Sequence, residues 1–396
     1  MKKNRIIAAG HICIDITPLF EERKYKNISE LLVPGKLIHV GAADVHTGGS
    51  VANTGLAMKL LGADVSLMGK VGNDEFGSMI LNILKTYQAA EGMIVDESSS
   101  TSYSTVLAIP GIDRIFLHNP GANDTFSSED LNLKLIREAG LFHFGYPPIM
   151  EKMYEHDGAE LVKVFKLAKK CGCMTSMDLA AVDEDSPAGR ADWKTIFKET
   201  LPYVDFFLPS VEEICYMLDK EKYRRLQKRA GGRDVTEVLS LEKDVIPLAE
   251  QILDMGCKLA IIKCGAAGFY YKTKGKEAFD TLSADSGIEL SGFADREGFE
   301  KSYVPDAVIS GTGAGDTTIA AFLTAMVKGY PFERCIQLAA ATGASCVAAV
   351  DALSGLKPFD ELIEKIDAGW KKQNLISDTT IYQNEEKRNR YVSEFE

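Results

Sequence analysis

The chain has 396 residues, of which 45% are hydrophobic and 26% are charged, and its formal net charge is -12 at pH 7. This composition is typical of a globular protein that is large enough to bury a core. The acidic balance argues against a nucleic-acid partner, because binding to a phosphate backbone depends on clustered Lys and Arg. We therefore expect any anionic ligand to be held by local groups.

The sequence favours a cytoplasmic protein with no membrane partner. Residues 1–10 contain too short an apolar run before His11 for a signal peptide, so they predict a first strand. Residues 335–350 are apolar but short and rich in small side chains, which favours a buried helix over a membrane span. The eight cysteines lack zinc-site spacing and fit reduced thiols.

Strands and helices alternate from the start of the chain. Residues 12–17 alternate apolar and polar side chains, which predicts a strand with Asp15 on its wet face. Gly48 and Gly49 permit a close backbone approach and precede a helix, near whose start Asn53 can face outward. Asp15 can be a solvated strand-end acid and Asn53 an ordinary helix-start residue, or both can contact a ligand. The pattern leaves these alternatives open.

A β-hairpin interrupts the alternation. Residues 101–118 have alternating apolar positions around a Pro110-Gly111 turn. We expect these strands to project from the main sheet and to be joined by residues 12–17 and 38–47. Such a flap could cover a site and exclude water from it.

The second half of the chain resumes the strand and helix alternation. Residues 220–242 are highly charged and predict an exposed surface insertion, and they are uninformative about chemistry. Residues 273–303 predict polar loop and hairpin, and residues 359–373 predict a helix. The polar tail at 374–396 is expected to be loose.

A glycine-rich turn at 310–316, Ser-Gly-Thr-Gly-Ala-Gly-Asp, leads into an apolar helix. Gly313, Ala314 and Gly315 let successive N–H groups point at one spot, where the helix start adds partial positive charge. This arrangement predicts an anion cradle. An acid beside a bound anion costs electrostatic energy, unless it has a task such as accepting a proton from the group that attacks phosphorus. The alternative is that Asp316 is an ordinary helix N-cap.

The glycine pattern excludes one other class of enzyme. The turn at 310–316 lies near the C-terminus and lacks the Lys-Ser/Thr of a P-loop, and no GxGxxG string follows the first strand. A dinucleotide-binding Rossmann enzyme would carry that string after its first strand. The sequence therefore argues against an NAD-dependent enzyme.

Two signatures, in this order, resemble the PfkB family of carbohydrate kinases, also called ribokinase-like. The first is Gly-Gly-Ser-Val-Ala-Asn at 48–53, continued by Gly-Lys-Val-Gly-Asn-Asp at 69–74, and the second is Gly-Thr-Gly-Ala-Gly-Asp at 311–316. The resemblance covers nearly the whole chain. It implies an α/β fold in one domain, residues 1–373: a ribokinase-like three-layer α/β/α sandwich with a mainly parallel sheet and a small β-sheet lid.

The resemblance also implies an activity, the ATP-dependent phosphorylation of a hydroxyl of a small sugar, sugar acid or nucleoside. In such a kinase Asp316 would accept the proton of the attacking hydroxyl. The amides of Gly313, Ala314 and Gly315 would form the anion hole. The substrate would bind to Asp15, Gly48, Gly49 and Asn53. ATP would bind to Ser210, Lys263, Gly265, Gly268, Thr312 and Thr342.

Departures from the family pattern affect the cofactors and the substrate. Mg²⁺ would bridge the phosphates, and the family's Asn-x-x-Glu motif, which organises it through water, is here Ser-Val-Glu-Glu at 210–213, so Glu213 is kept and the Asn is not. Ser310 replaces an Asp that helps to bind a monovalent cation in the family, which leaves such a cation in doubt. Ser50 replaces the Lys of many ribokinases, so ribose is not assured.

These departures motivate an alternative function, a catalytically weak sugar- or nucleotide-binding sensor or partner protein of the same fold. The retained acid at 316 argues against this alternative, because a protein that only binds gains nothing from an acid beside a phosphate. The strand edges of the predicted lid are also compatible with a homodimer formed through the lid.

Overall fold

The structure, a computed structural model, describes residues 4–21, 23–112 and 115–376. Its strands are, in chain order, β1 (Ile6–Gly10), β2 (Cys13–Pro18), β3 (Ala43–Gly48), β4 (Val65–Met68), β5 (Lys70–Gly72), β6 (Ile94–Asp96), β7 (Tyr103–Leu107), β8 (Ile115–Asn119), β9 (Leu141–Gly145), β10 (Met174–Met177), β11 (Phe206–Phe207), β12 (Leu259–Lys263), β13 (Gly268–Thr273) and β14 (Glu297–Lys301).

The α-helices of the described ranges alternate with these strands. They are α1 (Ser50–Leu60), α2 (Glu75–Thr86), α3 (Leu133–Glu138), α4 (Glu151–Tyr154), α5 (Ala159–Lys170), α6 (Pro187–Arg190), α7 (Trp193–Thr200), α8 (Val211–Leu218), α9 (Lys220–Ala230), α10 (Ile246–Asp254), α11 (Lys276–Ser286), α12 (Ala314–Lys328), α13 (Phe332–Cys346) and α14 (Phe359–Asp367). Of these helices, none is both long and apolar enough to cross a bilayer.

A central eight-stranded sheet has the strand order β14-β13-β12-β11-β10-β9-β1-β4. The pairs from β12 to β4 are parallel, whereas β13 and β14 are antiparallel additions at one edge. Every residue of β1 and β9 is buried, because helices cover both faces of the sheet. The predicted three-layer α/β/α sandwich with a mainly parallel sheet is confirmed.

A separate four-stranded sheet, in the order β3-β2-β7-β8, forms the lid. Its strand β2 follows β1 after two residues, so the lid is tied directly to the centre of the main sheet. Strand β3 of the lid begins at Ala43 rather than at residue 38, and the predicted strand pair at 101–118 runs as β7 and β8. The tip of that hairpin, residues 113 and 114, lies outside the described residues.

Two predictions for the C-terminal half were wrong. The polar stretch at 273–303 contains α11, whose Phe279 and Leu282 are buried at helical spacing, so one apolar pair sufficed where the composition favoured a loop. The helix expected at 359–373 ends at Asp367, because the chain turns at Gly369 with φ of 87°. The predicted loose tail at 374–396 lies outside the described residues from 377 onward.

Helix packing brings the two ends of the sequence together. Helix α12 packs against α13 on one side and against α1 on the other, below the same face of the sheet. Because α1 follows the first glycine motif and α12 follows the second, this contact places the starts of both helices next to each other. The carboxyl ends of the central strands open toward the same place.

Candidate active site

The start of α12 forms a cradle of backbone amides. Gly313 precedes the helix with φ of 73°, and a side chain there would overlap Ala352. The amide of Ala314 donates to Gly311 O at 3.3 Å, but no described residue accepts a hydrogen bond from the amides of Gly315 and Asp316. A helix start with free amides attracts an anion through its N–H groups and the helix dipole.

Asp316 lies in the first turn of α12 and is only 5% exposed. Asn53 Nδ2 donates to its Oδ2 at 3.0 Å, and Thr54 Oγ1 lies 3.5 Å from its Oδ1. The Tyr146 hydroxyl lies 2.7 Å from Oδ1 and 2.9 Å from Oδ2. The alternative that Asp316 is the helix N-cap is wrong, because Gly313 holds that position and the Asp316 carboxylate bonds across to α1 and to the segment after β9.

The groups around Asp316 shift the pKa of its carboxyl group in opposite directions. Burial raises the pKa of its carboxyl group, while the hydrogen bond from Tyr146, the positive charge of Lys263 and the hydrogen bond from Asn53 lower it. The negative charge of Glu213 raises it further, and the net shift is upward. A carboxylate with a raised pKa accepts a proton more readily than an ordinary aspartate does.

A second buried acid, Asp178, follows β10 beside this group. Neither of its carboxylate oxygens has a hydrogen-bond partner among the described residues. Burial raises its pKa strongly, and the positive charge of Lys263 opposes that effect. His143 Nε2 lies 3.8 Å from Asp178 Oδ1, but burial lowers the pKa of His143 to about 3, so this imidazole is neutral. The sequence analysis missed Asp178, although an acid at the carboxyl end of a buried strand is a signal for a site.

The predicted substrate residues lie between the lid and α1. Asp15 is on β2, and a side chain on Gly48 would overlap its carboxylate. Gly49 has φ of 83° and lets the backbone approach His11 closely. Asn53, the fourth predicted substrate residue, donates to Asp316 instead of standing apart from it.

A cleft of about 550 Å³ leads from Asp316 along the carboxyl ends of the central strands. Four of the predicted ATP-binding residues line it, namely Ser210, Lys263, Gly265 and Gly268. The predicted anion-hole residues Gly313, Ala314 and Gly315 line it too. Thr312 and Thr342 do not line the cleft, and Thr342 is fully buried. Helix α13 turns Gly343 toward the cleft instead.

The charged segment at 220–242 also contributes to the cleft. The charges of the segment were uninformative about chemistry, and its C-terminal part brings Asp234 and Thr236 to the lining of the cleft. Val235 is buried and anchors a short turn, and Thr236 then packs against Gly265. The sequence around Val235 gave no signal for this contact, because the charges of the segment indicated a solvated surface.

Ser210 and Glu213 form a reciprocal helix cap at the start of α8. The Glu213 amide donates to Ser210 Oγ at 3.3 Å, and the Ser210 amide donates to Glu213 Oε2 at 2.7 Å. This is the capping-box arrangement that a Ser-x-x-Glu string favours. Glu213 Oε1 is left without a hydrogen bond among the described residues. No group of three or more His, Cys, Asp and Glu side chains in the described ranges could hold a metal ion by itself.

Ser310 closes the glycine-rich turn by local hydrogen bonds. The Thr312 amide donates to Ser310 Oγ at 3.1 Å, and Ser310 Oγ lies 3.0 Å from Thr312 Oγ1. The position that carries an acid in the family therefore holds a hydroxyl that bonds within the turn.

A lid over the carboxyl ends of a parallel sheet, with a buried acid beside free helix-start amides, defines the ribokinase-like class of α/β proteins. The family described as pfkB family carbohydrate kinase matches residues 3–357. The chain belongs to this family and is a carbohydrate kinase, a phosphotransferase with an alcohol group as acceptor. The predicted family and enzyme class are confirmed.

The individual relatives are more distant. The chain is 28% identical over 334 residues to fructokinase-2 of Oryza sativa subsp. japonica, which covers 80% of this chain and 85% of that protein. It resembles the structure of Arabidopsis thaliana ribokinase complexed with ribose and ATP, with a TM-score of 0.65, 19% identity, and coverage of 91% of this chain and 98% of that one. Fructokinase with bound ATP from Xylella fastidiosa also gives a TM-score of 0.65 at 19% identity, with coverage of 92% and 99%.

Proposed function

We propose that this carbohydrate kinase transfers the γ-phosphate of ATP to a hydroxyl of a small sugar, sugar acid or nucleoside, with Asp316 as the general base. The observation that carries the proposal is the buried Asp316 carboxylate beside helix-start amides for which no described residue is an acceptor, at the end of a cleft that also holds Lys263. Among the acceptors, the names of the relatives favour a sugar, because they are fructokinases and a ribokinase with bound ribose.

The nucleotide side of the proposal rests on the cleft. The triphosphate would lie along the turn at Gly265 and Gly268, with Lys263 offsetting its charge, and an adenine would fit against the apolar residues Val308 and Val347. In this proposal Gly343, rather than Thr342, would face the nucleotide, because Gly343 lines the cleft and Thr342 does not. The turn residue Thr312 would shape the phosphate end through its backbone.

The described residues fit a magnesium ion only if the phosphates of ATP supply part of its ligands. Mg²⁺ is usually held by one or two carboxylates together with substrate phosphates, and Glu213 offers one free oxygen next to the cleft. The ion would neutralise charge on the phosphates when bound. A monovalent cation finds no carboxylate at Ser310, so we do not include one in the proposal.

The chemistry follows from the difference in basicity between an alcohol and a carboxylate. An alcohol is far less acidic than Asp316, so the carboxylate orients the hydroxyl and takes its proton as the new bond from oxygen to phosphorus forms. The bond between the γ-phosphorus and the β-phosphate oxygen breaks, and ADP leaves. The amides of Gly315 and Asp316, with those of Gly313 and Ala314, would stabilise charge on the transferring group. On the acceptor side, Asp15, Gly48 and Gly49 would hold the other hydroxyls under the lid.

Replacement of Asp316 tests the proposal. Asp316→Asn keeps the size of the side chain but removes its basicity, so kcat should fall by about 10²- to 10⁴-fold. Release of ADP should be measured with D-fructose, D-ribose and adenosine as acceptors, with Asp280→Asn, an exposed residue of α11, as the control.

Equal turnover by Asp316→Asn and the wild type would exclude Asp316 as the base. Binding of sugar or nucleotide without turnover of any acceptor by the wild type would favour the sensor alternative, which the serines at 210 and 310 motivate.

A further inference from the structure

Both oxygens of the Asp316 carboxylate already face hydrogen-bond donors. Asn53 Nδ2 donates to Oδ2, the more distant Thr54 hydroxyl faces Oδ1, and the single proton of the Tyr146 hydroxyl faces both oxygens. A carboxylate has about four lone-pair positions, so these three donors leave about one of them open. A substrate hydroxyl can take the central position in front of both oxygens only if the Tyr146 hydroxyl leaves it.

Tyr146 is the donor whose position an attacking hydroxyl would need. Its hydroxyl is nearly equidistant from the two oxygens of Asp316, at 2.7 and 2.9 Å, and so stands in front of the carboxylate. Asn53 and Thr54 are held by the backbone of α1, whereas Tyr146 belongs to the connection after β9. Burial raises the pKa of Tyr146 well above its ordinary value, so the hydroxyl stays protonated and can only donate to a carboxylate.

The backbone of Tyr146 is also unusual. This residue has φ of 64° and ψ of 38°, a left-handed conformation that non-glycine residues adopt rarely. It stands between Gly145 and Pro147, in a segment that lines the cleft. Strained conformations of this kind cluster at functional sites.

Ring contacts connect Tyr146 to the lid. The Tyr146 ring lies 6.2 Å from the ring of His11, and His11 lies 5.2 Å from the ring of His118 on β8. Both ring nitrogens of His11 are buried without a hydrogen-bond partner among the described residues, so no hydrogen bond fixes that ring. His118 is exposed on the lid and His11 is buried behind it, so this row of rings connects the lid surface to Tyr146.

We propose that the Tyr146 hydroxyl holds the place of the acceptor hydroxyl on Asp316 until a sugar displaces it. In that position Tyr146 keeps water from the base, so that ATP is not hydrolysed while the acceptor site is empty. Tyr146 is thus a positioning residue that acts through Asp316. This inference rests on the proposed function, because it assumes that Asp316 is the base.

The test is the hydrolysis of ATP in the absence of sugar. Tyr146→Phe keeps the ring and removes the hydroxyl, so water can occupy the freed position. Hydrolysis of Mg·ATP should rise by about tenfold, the effect of one hydrogen bond to a charged group. Because the Tyr146 hydrogen bond lowers the pKa of Asp316, its loss should move the acid limb of the pH profile to higher pH. The melting temperature of each variant is measured alongside.

Two variants separate this role from a general loosening of the site. Tyr270→Phe removes another buried tyrosine hydroxyl that donates to a carboxylate, Glu297, outside the cleft, and should leave hydrolysis unchanged. In the double variant Tyr146→Phe with Asp316→Asn, the gain in hydrolysis should disappear. A gain that persists in the double variant, or no gain in Tyr146→Phe, would overturn the inference.

The failure of this inference can be told from the failure of the proposed function. If Asp316→Asn keeps wild-type sugar turnover, the base is wrongly assigned and the proposed function falls. If sugar turnover depends on Asp316 but Tyr146→Phe hydrolyses ATP no faster than the wild type, only the role of Tyr146 falls.

Discussion

At the scale of single residues, the site contains a buried carboxyl group, Asp178, that the described residues stabilise only weakly. Asp178 is fully buried, and neither of its oxygens has a hydrogen-bond partner among the described residues. An unpaired buried charge is costly, and such costs persist in proteins mainly where function needs the group. Lys263 offsets part of the cost by its positive charge.

The raised pKa of Asp178 makes stability depend on pH in a defined direction. The unfolded chain loses this proton near the ordinary carboxyl pKa, whereas the folded chain keeps it to higher pH. Between the two pKa values the folded state binds more protons. The free energy of unfolding therefore falls as the pH rises through that window.

Replacement of Asp178 should expose this cost. Asp178→Asn removes the ionisable group, so its melting temperature should exceed that of the wild type at pH 8 by roughly 1 °C for each 1 kcal/mol gained in a chain of 396 residues. The difference should shrink toward pH 4, where the wild-type carboxyl is protonated. Calorimetry across this pH range measures it, with Asp280→Asn as the exposed control. A variant that is less stable at every pH would mean that the charge of Asp178 is needed by Lys263.

At the scale of elements, the geometry of the α12 start depends on one glycine in particular. Gly313 has φ of 73° and no room for a side chain beside Ala352, whereas Gly311, two residues earlier, has open space around its Cβ position. The backbone conformation and the packing therefore require glycine at 313 but not at 311, although both glycines belong to the same motif.

Alanine substitutions should separate these two glycines. Gly313→Ala should lower the free energy of unfolding by about 2 kcal/mol or more, because it combines an unfavourable φ with overlap against Ala352. Gly311→Ala should change it by less than about 0.5 kcal/mol. Urea denaturation of both variants provides the comparison. Equal losses would show that the turn rearranges around either side chain.

Elements with a strong periodic pattern were predictable. The parallel strands of the central sheet and α12 follow from apolar runs and glycine stops, since most of their residues are buried. Helix α11 was not predictable, because most of its residues are polar and only Phe279 and Leu282 form an apolar buried face. The string Ser-x-x-Glu at 210–213 is a signature of the reciprocal cap of α8, but its resemblance to the family's Asn-x-x-Glu motif favoured a metal-binding interpretation.

At the scale of the whole molecule, the cleft joins groups that lie far apart in the chain. Lys263 comes from the end of β12, Ser210 from the start of α8, and the free amides from α12. A ligand that bridges them binds only the folded state, so it should stabilise the protein by mass action.

A non-hydrolysable ATP analogue with Mg²⁺ should therefore raise the melting temperature. At a concentration 100 times Kd, the gain in the free energy of unfolding is about 2.7 kcal/mol. Lys263→Met should lose most of this gain, because it removes the cation that faces the phosphates, whereas Lys276→Met on the exposed side of α11 should keep it. Equal thermal shifts in the two variants would place the phosphates elsewhere.

The site was only partly predictable because its contacts join distant parts of the chain. Asp316, Lys263 and the glycines carry signals in their own sequence neighbourhood. Tyr146 does not: its partner is 170 residues away, and its left-handed backbone has no signature between Gly145 and Pro147. Asp178 likewise gains its meaning from the strand order, which sets β10 beside β9.

The contact between α1 and α12 also affects the order in which the chain can fold during its synthesis. Asn53 and Asp316 are separated by 263 residues, which a ribosome adds in about 13 to 53 seconds at its usual speed. Every described strand, up to Lys301, is made before α12 begins. During that interval the small apolar side chains of α1 that α12 will cover remain exposed, so the growing chain carries a hydrophobic surface that is prone to aggregation. Newly made chains in that state are the ones that chaperones attend.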